Sequence, residues 1–351
     1  MRGPVALVRI GTTERMERLL SFALEGVAVE TVPLMAVESL QGKRVLFALA
    51  MDAFGPGEEL ARLLHLLRRK PHCLQGSIGC ILVDGGGELY TKSAAQELAL
   101  AANGAGCMLP GKPLVEGTGS LYNQHIQAKR LGLDWEETYF RRVRELVERL
   151  LSFQAPRFES PRVLMLHASD QHRSNTVWLG REILRRLPEN FLTREICLQN
   201  GAIYDCRGCS YETCLHFSQS GTCFYGGAIS QEVLPAIRDC DAMLFLCPNY
   251  NDAVSANIMA LFNRLTNLLV QQELLDKYLF GVVVSGYSGS DLVARQLLGA
   301  MCFNKTVMLP PEFCMMETAH DPDSARRKAG IETRLDAFAA HVVRTLQKEK
   351  E

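Results

Sequence analysis

AMLFLCPNYNDAVSANIMALFNR, Ala242 to Arg264, reads as one βα unit. The run Ala242 to Cys247 is apolar without interruption, the pattern of a short strand buried on both faces of a parallel sheet. Pro248, Asn249, Asn251 and Asp252 supply turn chemistry, and from Val254 to Val270 the apolar spacing predicts a helix. The same alternation extends on both sides. Upstream stand a strand at Arg162 to His167, a helix at Asn175 to Leu187, a strand at Thr193 to Cys197, a cysteine-rich loop and a helix from about Ser230 to Arg238. Downstream stand a strand at Gly281 to Ser285, a helix at Asp291 to Met301, a strand at Thr306 to Leu309 and a closing helix from Ser324 to Gln347. Alternating βα units define an α/β doubly wound sheet.

Five such units are the flavodoxin-like count, and the first half repeats them. GCILVDGGGELYTKSAAQELALAANGAGCMLP (Gly79 to Pro110) lies over GVVVSGYSGSDLVARQLLGAMCFNKTVMLP (Gly281 to Pro310). Gly79 falls on Gly281 and Gly87 on Gly289, and a two-residue adjustment brings Leu109 and Pro110 onto Leu309 and Pro310. Val45 to Ala50 takes the place of Ala242 to Cys247, and Glu136 to Leu151 that of the closing helix. The expected organisation is a tandem: a degenerate domain over 1–152, a linker over 153–161 containing Pro156 and Pro161, and a second domain over 162–351. The first copy departs from the second in two places. Its strand Val5 to Ile10 leads into GTTERMERLL, which is not a phosphate-type turn, and it lacks the cysteine insert.

At 351 residues the chain has room for two independently cored domains. With 38 Lys+Arg against 39 Asp+Glu there is no global charge to draw it to nucleic acid or an anionic membrane. Its apolar runs fall short of a bilayer span. The opening MRGPVALVRIG has no signal-peptide pattern, so the expectation is a cytoplasmic protein. No HExxH, Walker loop or GxSxG is present.

Chemistry concentrates at three strand ends, where doubly wound sheets bind ligands. After Arg162 to His167 comes ASDQHRSNT, Ala168 to Thr176, whose hydroxyls at a helix start suit either a phosphate or an ordinary N-cap. This turn resembles the GSPRxxSNT stretch of the NADPH-dependent FMN reductase family and its iron-sulfur flavoprotein members. Ser169, Ser174, Asn175 and Thr176 match, while Ala168 stands for the Gly and Asp170 for the Pro. CPNYNDAVSANIMALFNR, Cys247 to Arg264, is similar to the family's SPVYxxSVSAxLKxxIDR through Pro248, Tyr250, Val254, Ser255, Ala256 and Arg264. SGYSGSD, Ser285 to Asp291, corresponds to its Gly-rich loop. The resemblance covers about residues 160–320. It implies FMN, with the phosphate on Ser169, Ser174, Asn175 and Thr176, the isoalloxazine along Pro248, Asn249, Tyr250, Asn251 and Asp252, and Ser285, Gly286, Tyr287 and Gly289 approaching from the other side. The protein would position and tune a cofactor that carries out the redox step.

Four of the twelve cysteines, Cys206, Cys209, Cys214 and Cys223, fall within eighteen residues. In a chain without an export signal grouped thiols read as metal ligands or redox groups. The spacing C-x2-C-x4-C-x8-C suits zinc and [4Fe-4S] equally. Iron-sulfur flavoproteins place a compact cysteine motif here, so the resemblance implies a [4Fe-4S] cluster, with the longer gap before Cys214 a departure and His216 the nearest substitute ligand. Cys197, Cys240, Cys247 and Cys302 read as core thiols.

The leading reading is an iron-sulfur flavoprotein oxidoreductase moving electrons between NAD(P)H or a ferredoxin-type carrier and an acceptor, through FMN and the cluster. The alternatives are an NAD(P)H-dependent FMN or quinone reductase without a cluster, and a non-catalytic thiol or metal redox sensor. Expected partners are small-molecule or protein electron donors and acceptors. A homo-oligomer is also expected, with the two domains as an internal pseudo-dimer. No residue stands out as acid or base.

Overall fold

The computed structural model describes residues 3–169, 173–198, 203–219, 223–269 and 272–348. The chain divides into two compact units, one of Met1–Gln154 with Leu309–Glu312 and one of Ala155–Met308 with Phe313–Glu351.

The first unit runs β1 (Val5–Ile10), α1 (Glu14–Ala23), β2 (Val29–Thr31), β3 (Arg44–Met51), α2 (Glu58–Arg69), β4 (Ile78–Gly85), α3 (Thr91–Gly104), β5 (Leu114–Gly117), α4 (His125–Leu131) and α5 (Trp135–Ser152). Its five strands form one parallel sheet ordered β2-β1-β3-β4-β5. In α2 the apolar side chains Leu60, Leu63, Leu64 and Leu67 recur at helical spacing and are buried. Glu58 and Glu59 lie in its first turn and Arg68 and Arg69 in its last, matching the helix dipole. Asp134 and Glu137 close a capping box on α5.

The second unit runs β6 (Arg162–His167), α6 (Asn175–Arg185), β7 (Leu192–Cys197), α7 (Tyr211–Ser218), α8 (Leu234–Asp239), β8 (Ala242–Pro248), α9 (Ala256–Arg264), α10 (Thr266–Leu269), β9 (Tyr278–Ser285), α11 (Ser290–Leu298), β10 (Cys314–Thr318) and α12 (Ile331–Leu346). Its parallel sheet is ordered β10-β9-β8-β6-β7, the same 2-1-3-4-5 order read from the other edge. Both units are therefore flavodoxin-like. Strands β8 and β9 are buried almost throughout, as expected for central parallel strands covered on both faces.

Backbone pairing fixes the internal repeat and corrects its register. The row Val5–Arg44–Ile78 in the first sheet corresponds to Val163–Ala242–Tyr278 in the second. Ile81 pairs with Leu114 as Gly281 pairs with Cys314, and Ile78 bridges Met108 as Tyr278 bridges Met308. From β4 to β5 the copies thus align without a gap. Ile81, not Gly79, is the counterpart of Gly281, and Gly86 that of Gly286. Matching glycines by identity misled because ladder hydrogen bonds, not residue type, set register.

Three further differences are local. The fifth strand is Cys314–Thr318, not Thr306 to Leu309. Only Met308 of the earlier run bridges β9, because Pro310 and Pro311 have no N–H to continue a ladder. The long helix predicted after Val254 is broken into α9 and α10, its last residue Val270 lying outside the described residues, and the closing helix begins at Ile331 after the left-handed Gly330. The cysteine loop contains a helix of its own, α7, which the spacing of its residues did not announce.

Candidate functional site

At the carboxyl edge of the second sheet, the turns after β6, β8, β9 and β10 enclose a cleft of about 380 Å³. It is lined by Ser169, Arg173, Ser174, Asn175, Thr176, Pro248, Asn249, Tyr250, Val284, Gly286, Ala319, His320 and Pro322. This is the topological switch point of the sheet, where β6 feeds one side and β8 the other. Among the described residues the lining carries an arginine and a histidine and no carboxylate, a set that favours an anion.

Ser174 is the N-cap of α6, its Oγ accepting from the Val177 N–H, and it also lies 2.8 Å from the Thr176 Oγ1. Thr176 is 1 % exposed and sits 3.4 Å from the Ser169 Oγ. These three hydroxyls stand together over the N-terminus of an eleven-residue helix, a ready anion site. Asp170, between them in sequence, lies outside the described residues.

Asn175 is directed elsewhere. Its Nδ2 donates to the Asp321 carbonyl at 2.9 Å and reaches the Ala319 carbonyl at 3.5 Å, and its Oδ1 accepts from the Ala325 N–H at 3.1 Å. The side chain holds the segment after β10 against the start of α6.

The turn after β8 is a two-residue hairpin. Tyr250 and Ala253 exchange backbone hydrogen bonds, each 3.1 Å, and Asn251 and Asp252 between them have φ of 52° and 60°. Asn and Asp tolerate that left-handed geometry better than other side chains. Asn249 ties this turn to the Gly-rich one. Its Nδ2 donates to the Ser285 Oγ and the Ser288 carbonyl, and its Oδ1 accepts from the Asp252 N–H at 2.7 Å. Asn251, Asp252, Ser285, Tyr287 and Gly289 thus shape the rim without lining the cleft. A Cβ on the left-handed Gly289 would collide with the Asp252 carboxylate, and one on Gly286 would lie 3.0 Å from the His320 Nδ1.

His320 is the residue that sequence reasoning missed, together with Arg173, Val284, Ala319 and Pro322. With the fifth strand placed six or more residues too early, the turn after it was not inspected. The gapless repeat, carried from Leu109–Pro110 onto Leu309–Pro310, would have placed β10 correctly.

The equivalent turns of the first unit are built differently. Only Gly11, Thr12 and Thr13 separate β1 from α1. The Gly11 N–H is taken by the Glu59 carboxylate. By N-cap alignment Arg15 stands where the second unit has Thr176. Its guanidinium is paired with Asp84 at 2.6 Å and donates to the Gly85, Thr118 and Gly119 carbonyls. The 340 Å³ hollow beside it is lined by Asp52 and Glu59 with no cation. Asp52 occupies the place of Tyr250, each bridging the residue three further on.

The cysteine loop rests on α9 and α10. Arg264, 4 % exposed, donates to the Tyr204 and Gly226 carbonyls and to the Ser230 Oγ. Asn263 donates to Asp205, whose carboxyl is held below its usual range by that bond, and Asn257 donates to the Leu198 carbonyl. Cys206 and Cys209 are exposed and Cys214 and Cys223 half-buried. Among the described residues, no three His, Cys, Asp or Glu side chains are gathered into a metal site. The four thiols as placed do not fit a cluster, and His216 lies exposed on α7 rather than among them. Cys240, Cys247 and Cys302 are core thiols, and burial pushes those of Cys240 and Cys247 up to about 12.

Fold and cleft together define a flavodoxin-like cofactor domain with an anion-favouring switch point. Residues 161–321, most of the second domain, match the family model described as NADPH-dependent FMN reductase. No protein of curated function matches the chain. Solved structures similar to it include an NAD(P)H:quinone oxidoreductase from Methanothermobacter marburgensis, at 14 % identity over 55 % of this chain and 98 % of that one with a TM-score of 0.40. An FMN-dependent NADH-azoreductase from Bacillus anthracis, solved with FMN, is 10 % identical over 52 % of this chain and 99 % of its own, with a TM-score of 0.37. The apo NADH:FMN oxidoreductase EMOB is 15 % identical over 54 % and 91 %, with a TM-score of 0.36. Among the described residues no helix is long and apolar enough to cross a membrane.

Proposed function

We propose that the chain is an NAD(P)H-dependent flavin oxidoreductase of the FMN or quinone reductase type, with one FMN in the cleft of the second domain. The observation that carries this reading is the cleft itself: three hydroxyls over a helix N-terminus and two basic side chains, with no carboxylate among the described lining residues, within the family-matched segment. The residues fit the cofactor. Ser169, Ser174 and Thr176 would hold its phosphate, and Pro248 to Tyr250 would lie along its ring system. FMN, when bound, supplies hydride and single-electron transfer. The protein's part is to bind, orient and screen. Asn249 fixes the two ring-side turns to each other, and Asn175 fixes the segment after β10.

The first domain is proposed to bind no FMN. Its Gly11 N–H is taken by Glu59 and its Thr13 hydroxyl by Asp84, its counterpart of Thr176 is an ion-paired arginine, and the carboxylates of Asp52 and Glu59 repel a phosphate. Anaerobic purification with flavin, iron and sulfide analysis tests the whole reading. Flavin without iron is the expected result, and absence of flavin would overturn it.

The finer reading, a [4Fe-4S] cluster on Cys206, Cys209, Cys214 and Cys223 fed by a ferredoxin-type carrier, rests on the grouping of the thiols and on the resemblance to iron-sulfur flavoproteins. It requires the loop to draw the four side chains together. Iron and sulfide that vanish in Cys206→Ser but persist in Cys302→Ser would support it; iron-free wild-type protein would exclude it.

A further inference from the structure

His320 is held in the cleft by three features, two of them found only in the second unit. On one side its Nδ1 lies 3.0 Å from where a Gly286 Cβ would stand, so the missing side chain makes space for the imidazole. On the other, the Tyr287 ring lies against it, with centroids 4.7 Å apart, planes tilted by 32° and the Tyr287 Oη 3.4 Å from the Nε2. From below, Asn175 grips the backbone on both sides of it through the Ala319, Asp321 and Ala325 groups. In the first unit, the matching positions are Gly86, Gly87, Ser120 and Glu14. The glycine is kept there; the aromatic cover, the imidazole and the amide latch are absent, and so is an anion-favouring lining.

We propose that His320 is the electropositive contact of the cleft toward the bound cofactor, favouring the negative charge FMN takes up on reduction, and that Asn175 is the positioning residue that puts it there. The inference rests on the flavin reading above. An imidazole N–H can donate a hydrogen bond to a developing anion, and Arg173, also in the lining, is permanently charged. Among the described residues that line the cleft there is no carboxylate. His320 is itself exposed, so its contribution is that of a donor held in place at the cleft mouth, which needs no reorganisation as negative charge develops. Asn175 therefore acts through His320 rather than on the phosphate.

The test is the two-electron midpoint potential of FMN bound to the full chain, alongside the affinity for oxidised FMN. In His320→Gln the reduced cofactor should lose about tenfold more affinity than the oxidised cofactor does, which is a potential about 30 mV lower. His320→Lys, which restores a cation, should recover most of the shift. Asn175→Ala should lower the potential in the same direction, and the double variant should be no lower than His320→Gln alone. An unchanged potential in His320→Gln, a Lys variant no better than Gln, or additive effects of the two sites would overturn the proposal. Failure of wild type to bind FMN would instead overturn the flavin reading, so the two outcomes are separable.

Discussion

Thr176 and His167 show how differently two buried polar side chains of one strand-turn-helix unit act. Thr176 sits at the start of α6 with its hydroxyl toward Ser174 and Ser169. Thr176→Val keeps its shape and removes that hydroxyl, so FMN should bind more weakly by about 1.5–3 kcal/mol, the range for a hydrogen bond to a charged group. Fluorescence titration measures it, and an unchanged affinity would return the turn to a plain helix cap. His167, at the end of β6, is fully buried with its Nε2 3.1 Å from the Glu195 Oε1, while Arg181 binds the same carboxylate. Burial pulls the imidazole below its ordinary 6.5, and the Arg181 guanidinium holds Glu195 below the usual carboxylate range. A depressed imidazole means that the unfolded chain binds the proton more readily. Its contribution to stability is whole above 6.5 and is lost as the pH falls below that value. The loss at Glu195 sets in only further down, below the ordinary carboxylate value. Melting temperature should therefore drop from about pH 7.5 to about pH 5 more steeply in wild type than in His167→Gln. Parallel curves would contradict this.

The turns at the carboxyl edge of each sheet are where the two copies differ most in chemistry. In the first, Arg15 crosses the ends of β4 and β5 to Asp84, itself 2 % exposed. Arg15→Met should destabilise the first domain by about 3–5 kcal/mol, the cost of stranding one partner of a buried pair. It should not create a flavin site, because Glu59 still occupies the Gly11 N–H. Denaturant unfolding and a flavin count per chain check both parts. At this scale the sequence was informative where apolar runs were long and bounded: β6, β8, β9 and α6 lie close to their predicted places. It was misleading at β10, where five residues reading CMMET follow two prolines and resemble a loop. The hydroxyls of the turn after β6 were legible from Ser174 to Thr176. The redirected amide of Asn175 was not, since its partners lie about 145 residues away in sequence.

Over the whole molecule, duplication was visible in the strand-helix alternation and in the paired Leu-Pro motifs. Its true register needed the backbone ladder, because Gly79 and Gly281 share a residue type without sharing a position. The cysteine cluster was the loudest compositional signal and yields the least geometry: its thiols stand apart on a loop that Arg264 and Asn263 anchor from beneath. The central claim is that one of two similar sheets binds flavin. Titration of the full chain, freed of cofactor, with FMN measures this directly by absorbance and fluorescence. The account predicts saturation at one FMN per chain, with binding weakened by Thr176→Val and untouched by Glu59→Gln. Saturation at two per chain, or no binding at all, would contradict it.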